Sequence, residues 1–268
     1  MINVVDRVST YPGRVKLTRA DGTVEYVTWE RADEPTVPGT PINKALFDSI
    51  AADIGLTSAV TVYVSKSGSD TLGNGSSSNP YLTIMKVVNS LPKNLNGFDA
   101  TISIGAGTYS EHVDISRFSG GLVKLSGATG EAVSINSLRV GYGSFVQLEN
   151  ITLTVTSNND NAAINVTSAN FFALSTVRCT AATRNGVFAN RNAYCQFSTL
   201  DVSNTTEAAV TGANGSVIWA ADIQGSSNTG YGLRAENGSR IAYDKRGITA
   251  TTIAITGSGG RILTGAQA

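Results

Sequence analysis

Apolar residues recur every 23 residues through the second half of this chain of 268 residues. The recurrence gives four columns: Ile164, Val187, Val210 and Leu233; Phe172, Cys195, Ile218 and Ile241; Leu174, Phe197, Ala220 and Tyr243; and Val177, Leu200 and Ile223. Within each unit the apolar positions recur at steps of two, which is the periodicity of a β-strand. We therefore expect the four columns to point into one shared core.

Small and turn-forming residues also keep this spacing. One column holds Gly143, Ala169, Asn192, Gly215 and Gly238. Because Gly and Asn tolerate a positive φ angle, the column predicts a left-handed turn in each unit, with Ala169 as the exception. A further unit upstream, at a spacing of 26, contains Leu138, Val146, Leu148 and Ile151, and its three extra residues fall in the loop-like segment "TSNNDNAAI".

A repeat of 20 to 50 residues is typical of solenoids and propellers. Propeller blades use about 40 residues, and the sequence has neither the leucine lattice of leucine-rich repeats nor the 3.6-residue period of helical repeats. These exclusions favour an all-β parallel β-helix of about 23 residues per coil, with strands about 4.8 Å apart between coils. A β-sandwich of short strands is the alternative.

The segment before the repeat predicts a cap for one end of this solenoid. "VTVYVSK" alternates as a strand, and "YLTIMKVVNSLP" places four apolar residues on one face of a helix: Ile84, Val87, Val88 and Leu91. Pro80 precedes that helix and Pro92 ends it. A parallel solenoid needs such a cap because its ends expose apolar core and unpaired strand edges.

Three motifs in this region carry a family resemblance: a G-x-D loop at Gly68 to Asp70, a P-x-x-T-I helix start at Pro80 to Ile84, and a G-T-Y-x-E turn at Gly107 to Glu111. Together they resemble the opening of right-handed β-helix proteins of the pectate-lyase-like superfamily. The resemblance implies a right-handed β-helix and says little about chemistry. We divide the β-helix part into a capping region at residues 56–95 and the coils at residues 96–268.

Residues 1–55 form a separate segment, which carries 14 of the 40 charged side chains. They predict a hairpin turning at Asp21-Gly22 and a helix from about Pro41. The helix has an apolar stripe that we expect to serve assembly, made of Ile42, Leu46, Phe47, Ile50 and Ile54. The runs Pro12 to Leu17 and Arg31 to Asn43 resemble the N-terminal attachment segments of phage and prophage tail proteins. That resemblance implies a homotrimer, docking on other tail or baseplate proteins through residues 1–55, and a place in the virion tail after assembly in the bacterial cytoplasm.

Composition argues against several classes of partner. Lys and Arg number 20, as do Asp and Glu, so no global positive field attracts nucleic acid. No apolar run approaches the roughly 20 residues of a membrane span, and we expect no membrane insertion. Cys179 and Cys195 occupy inward positions and are expected to be core thiols rather than redox or metal ligands. We predict no cofactor and no metal site.

Catalytic candidates are few. Glycosidases need two carboxylates about 5 to 9 Å apart. Glu111 and Asp114 flank the single histidine, His112, but Glu111 belongs to the turn motif of the cap. Asp201 stacks with Arg178 and Gln224, and we interpret the Arg178 and Asp201 pair as an exposed ion pair. Asp222 is stacked on Thr199. We therefore assign no catalytic residue and expect a non-enzymatic protein.

Two exposed aromatic residues are the candidates for contact with a host glycan or receptor. Trp219 alternates with inward Ile218 and Ala220 and should face outward, and Tyr231 interrupts a column of Ala and Asn. The expected function is that of a short phage tail fibre, spike or baseplate component. One alternative is a polysaccharide depolymerase whose carboxylates, among them Glu111, Asp114, Asp201 or Asp222, come together only across subunits. The other is a purely structural spacer or plug.

Overall fold

A computed structural model describes residues 14–18, 22–28, 55–155, 162–180 and 184–265. The chain divides into two compact units, Met1–Ile54 and Gly55–Ala268. In the first unit, β1 (Arg14–Thr18) pairs in antiparallel fashion with β2 (Val24–Thr28), and Thr18 lies opposite Val24. Gly22, between them, has a φ of +84°, so the predicted hairpin is confirmed. Asp21 and the predicted helix with its five apolar residues lie outside the described residues.

The second unit is a right-handed parallel β-helix of about seven turns, with equivalent positions about 23 residues apart. Its one described helix is α1 (Ile84–Ser90). The strands are β3 (Val60–Val64), β4 (Ala100–Ile104), β5 (Gly107–Ser116), β6 (Leu122–Gly127), β7 (Val133–Gly141), β8 (Phe145–Glu149), β9 (Thr152–Thr154), β10 (Ala162–Thr167), β11 (Asn170–Thr180), β12 (Asn185–Asn190), β13 (Tyr194–Val202), β14 (Ala208–Gly212), β15 (Val217–Glu236), β16 (Arg240–Gly257) and β17 (Arg261–Thr264).

Each coil contributes strand segments to three faces. Face 1 contains β3, β4, β6 and β8, the first halves of β11 and β13, the beginnings of β15 and β16, and β17. Face 2 contains the beginnings of β5 and β7, then β9 and the segments that follow directly in β11, β13, β15 and β16. Face 3 contains the later parts of β5 and β7, then β10, β12 and β14 and the ends of β15 and β16.

The predicted columns form the core of this β-helix. Ile164, Val187, Val210 and Leu233 pair in register from coil to coil and are fully buried. The same holds for Cys195, Ile218 and Ile241, and for Val177, Leu200 and Ile223. Stacking like residues in this way removes apolar surface from water and satisfies the backbone through the strand ladders.

For two members of the columns, Phe172 and Leu174, the sequence prediction is wrong by one residue. Phe171, rather than Phe172, pairs with Cys195 in the core, and Ala173, rather than Leu174, pairs with Phe197. Phe172 therefore points outward, and Leu174 is 61% exposed. The register is restored by a bulge, in which Leu174 and Ser175 together lie opposite Ser198.

The exception at Ala169 explains this shift. The predicted left-handed turn is confirmed at Gly143, Asn192, Gly215 and Gly238, and in each case the preceding residue also has a positive φ. Between β10 and β11 the turn has only the two residues 168–169, against three between β12 and β13. The shorter turn has one left-handed residue, Ser168, and so Ala169 fits without strain.

The N-terminal end of the β-helix is closed by α1, as predicted. Its apolar face packs into the core through Ile84, Val87, Val88 and Leu91, all of them buried. The carboxylate of Asp70 accepts hydrogen bonds from the backbone N–H groups of Leu82 and Thr83 at 2.9 and 3.0 Å, and from Thr83 Oγ1 at 2.6 Å. The G-x-D loop and the P-x-x-T-I motif therefore meet at the start of α1.

Candidate functional site

The outward surface of face 1 carries four aromatic side chains on successive coils, which we call the aromatic face: Phe145, Phe172, Tyr194 and Trp219. Trp219 is half-buried between the fully buried Ile218 and Ala220, so its predicted outward orientation is confirmed. Phe145 is 45% exposed. Alternation along the strands places these rings outward because their neighbours on either side belong to the core columns.

Register fixes how these rings lie relative to one another. Phe172 and Trp219 each pair with Gln196 from opposite sides, so about two strand spacings, or roughly 10 Å, separate them. The rings of Phe172 and Tyr194 are closer, with centroids 6.0 Å apart and planes tilted by 51°. The hydroxyl of Tyr194 lies 3.4 Å from Gln196 Oε1. The result is a row of rings with an amide between them on a rigid sheet.

The polar groups beside the aromatic face are paired with one another. Lys124 Nζ lies 2.9 Å from a carboxylate oxygen of Glu149, and Gln147 Nε2 donates a hydrogen bond of 2.5 Å to the same carboxylate. The charges of Lys124 and Glu149 cancel each other, so on the side of the aromatic face toward the cap the remaining features are ring faces and amide groups. Sugars are bound by such surfaces because their C–H faces stack on rings while their hydroxyl groups bond to amides.

Tyr231 lies on a different face. It pairs with Ala208 and Thr252 on face 3, so the structure does not bring it together with Trp219. The guanidinium of Arg234 lies 5.9 Å from its ring centroid. Arg234 in turn binds Glu207 at 2.9 Å and Glu236 at 2.8 Å, and these carboxylates raise the pKa of its guanidinium. Tyr231 is thus next to an ion-pair network rather than an aromatic row.

The titratable cluster of the cap has mainly structural contacts. Both carboxylate oxygens of Glu111 accept hydrogen bonds from the first turn of α1, at 3.1 Å from the N–H of Ile84 and 2.9 Å from that of Met85. His112 Nδ1 lies 2.7 Å from Ser137 Oγ, and its Nε2 lies 3.1 Å from Asn136 Nδ2. Glu111 therefore caps the start of α1.

Asp201 and Asp222 both line an open groove of about 570 Å³ on face 2. Asp201 lies 3.5 Å from the Nε of Arg178, as expected for an exposed ion pair, and Asp222 accepts a hydrogen bond of 2.6 Å from Gln224. Lys245 pairs in register with Asp222 and also lines the groove. Two carboxylates and a cation on neighbouring coils are thus exposed to the same solvent-filled space.

Both cysteines are fully buried free thiols, and burial raises the pKa of each well above its ordinary value. Within the residues described here, no group of His, Cys, Asp or Glu is arranged to hold a metal ion. In the same part of the chain, no helix is long and apolar enough to cross a membrane. The aromatic face is therefore the candidate site with the clearest chemistry.

Sequence reasoning found only Trp219 of the four rings. The repeat columns place Phe172 in the core, and they single out neither Tyr194 nor Phe145. The signal that could have found them is the break at Ala169 in the turn column, because a turn shortened by one residue moves Phe172 to the outside. Comparison with family models, curated proteins and solved structures gives no significant match for this chain.

Proposed function

We propose that this protein is a non-enzymatic component of a phage or prophage tail, whose β-helix contacts glycan on the host cell surface through the aromatic face. The observation that carries the proposal is the row of outward rings on one side of a rigid parallel β-helix. Further support comes from the resemblance of residues 12–17 and 31–43 to tail attachment segments, and from that of the cap motifs to pectate-lyase-like β-helix proteins.

Glycan contact is tested by measuring adsorption of the full-length chain to a panel of intact bacteria and to arrays of bacterial surface polysaccharides. Trp219→Ala and Phe172→Ala should each lower the affinity about tenfold. That change corresponds to about 1.4 kcal/mol, which is within the range that one stacked aromatic ring contributes. Phe98→Ala is the matched control, because Phe98 is a similarly exposed ring outside the aromatic face. Equal loss in all three variants, or in none, contradicts the proposal.

Assembly is tested by light scattering on the full-length chain and on a variant lacking residues 1–55. A mass near three times 27.8 kDa that falls on deletion would place trimerisation in the N-terminal segment. A monomer without affinity for tail components would contradict the tail assignment. If Trp219→Ala lowers the solution mass instead of glycan binding, the aromatic face is a contact between subunits.

The groove on face 2 supports a second candidate, a polysaccharide depolymerase. Its two aspartates come from adjacent coils, and Asp201 is diagonal to Asp222, a position about 7 to 8 Å away on a sheet. That separation is within the range for glycoside hydrolysis. An enzyme of this kind would release reducing or unsaturated sugar ends from capsule, and Asp201→Asn or Asp222→Asn would abolish the release. Asp244→Asn, at an exposed residue outside the groove lining, is the control.

A further inference from the structure

A second cavity, of about 430 Å³, lies at the N-terminal end of the β-helix, between α1 and the first two turns that lead from face 3 to face 1. We call it the basic pocket. Its lining residues are Met85, Asn89, Lys93, Asp114, Ser116, Arg117, Arg139 and Tyr142. Its volume is within the range of small-molecule sites. It does not share a residue with the aromatic face or with the groove on face 2.

The basic pocket concentrates positive charge in a chain whose formal net charge is zero. Lys93, Arg117 and Arg139 face a single lining carboxylate, Asp114. Arg139 Nη1 lies 3.6 Å from one oxygen of Asp114, while the other oxygen accepts a hydrogen bond from Ser116. Since a guanidinium has five N–H donors, Arg139 keeps donors for a ligand. Among the described residues, no carboxylate lies within 4.0 Å of a charged nitrogen of Arg117 or Lys93.

Two of the pocket residues adopt a backbone conformation that their side chains disfavour. Arg117 has a φ of +65° and Tyr142 a φ of +53°. In later coils the same turn position holds Ser168, Asn214, Asn237 and Ser258, and in one coil Arg191. Arg117 and Tyr142 both line the pocket from these two turns, so the turns place a guanidinium and an aromatic ring at the same cavity.

The ring of Tyr142 gives the pocket an apolar wall. Tyr142 is 45% exposed, and the guanidinium of Arg117 lies 5.8 Å from its ring centroid. Lys93, whose Nζ lies 3.7 Å from the ring centroid of Phe118, also lines the cavity. A ligand that fits this arrangement has an anionic group for the guanidinium groups and a flat face for the ring.

From this geometry we infer that the basic pocket binds an acidic sugar unit, with its carboxylate on Arg117 and Arg139 and its ring on Tyr142. Guanidinium groups recognise carboxylates in bidentate fashion, which a lysine at the same place could not do. The inference stands apart from the proposed role of the aromatic face, since it depends on other residues, on another part of the β-helix.

The test is a calorimetric titration of the full-length chain at low salt. The three titrants are a glucuronate-containing disaccharide, inorganic phosphate and neutral glucose. We expect the acidic disaccharide to bind and glucose to give no signal. Replacing both arginines, Arg117→Asn with Arg139→Gln, should weaken binding at least about tenfold, because charge-assisted bonds are lost. Arg191→Asn with Arg178→Gln is the matched control, since Arg191 occupies the same left-handed turn position outside the pocket.

Tyr142→Asn separates a sugar site from a simple anion site. Asn suits the left-handed turn, so the fold should be kept while the ring is lost. This variant should weaken binding of the disaccharide and leave the affinity for phosphate unchanged. Phosphate that binds as tightly as the disaccharide, or affinity that survives the double arginine replacement, would overturn the inference, as would the absence of any binding. The variants at Trp219 report separately on the aromatic face.

Discussion

The two ends of the β-helix are finished in different ways. At the N-terminal end, α1 covers the core, and Asp70 and Glu111 bond to five donors around its start. At the C-terminal end, β17 pairs with β16 only from Arg240 to Tyr243, and among the described residues no strand pairs with the outer edge of β16 beyond that point. The core column of Leu200 and Ile223 ends there in the exposed Arg246.

This contrast shows what holds each end. The N-terminal end depends on particular side chains that bond to one helix, while the C-terminal coils depend on repeated stacking of apolar columns. In a solenoid, stability is approximately a sum over coils and their interfaces, so a coil with only one neighbour is held by one interface. We therefore expect substitutions at the N-terminal end to cost more than equivalent ones at the C-terminal end.

The largest difference should appear in a matched pair of isoleucines. Ile84→Ala removes a fully buried side chain under the cap and should cost about 2 to 5 kcal/mol. Ile262→Ala, at the partly buried end, should cost under about 1 kcal/mol, because its site is open to water and leaves no cavity. Urea denaturation followed by circular dichroism measures both. Equal costs would show that the C-terminal end is covered in solution.

Loss of the helix cap should have the next largest effect. Glu111→Ala leaves two N–H groups of α1 without their acceptor and should cost about 1 to 2 kcal/mol in the same denaturation experiment. Glu131→Ala, at an exposed position in a loop, should be neutral. A Glu111 variant as stable as the Glu131 variant would mean that α1 is held by its apolar face alone.

The stability of the cap should also depend on pH. Burial raises the pKa of Asp70, but the hydrogen bonds from Thr83 and Leu82 lower it by more, so the net shift is downward. A carboxyl group of this kind stabilises the fold above its unfolded pKa of about 4, and that contribution is lost as the pH falls through the folded pKa. The stability difference between wild type and Asp70→Asn should therefore shrink below pH 4. A difference independent of pH would contradict this.

The smallest effect should come from the ion pairs of the C-terminal coils. Glu207 lies 2.7 Å from Arg184 and 2.9 Å from Arg234, and Glu207→Gln should cost about 1 kcal/mol or less, with the cost falling as salt is added. Arg178→Gln breaks a more exposed pair and should cost still less. A cost for Glu207→Gln above that of Glu111→Ala would reverse the comparison between the two ends.

The sequence predicts the repeat well because an apolar column is the same physical requirement in every coil. It fails at Phe172 and Leu174 because the run from Phe171 to Leu174 is apolar throughout. Either register then fills the core with apolar side chains, and the pattern alone does not distinguish them. Only the length of the preceding turn decides between them.

The candidate sites were less predictable, for a similar reason. The aromatic face and the basic pocket each combine residues from several coils. Which residues lie side by side depends on the register between coils, and that register can be predicted only where every turn length is known. The bonds of Asp70 and Glu111 to α1 likewise need the position of the helix on the core. For the basic pocket the sequence does hold one signal, since Tyr142 is an aromatic residue at a turn position where the later described coils have Ser, Asn or Arg.

The short turn at residues 168–169 and the bulge at Leu174 and Ser175 compensate for each other in number of residues. The turn omits one residue and the bulge adds one, so the coil is back in register with the next coil before it reaches Val177. A deletion of one residue therefore leaves the register of every later coil unchanged if an insertion of one residue follows within the same coil. What the coil must keep constant is its contour length, and the corners and bulges can share that length in more than one way.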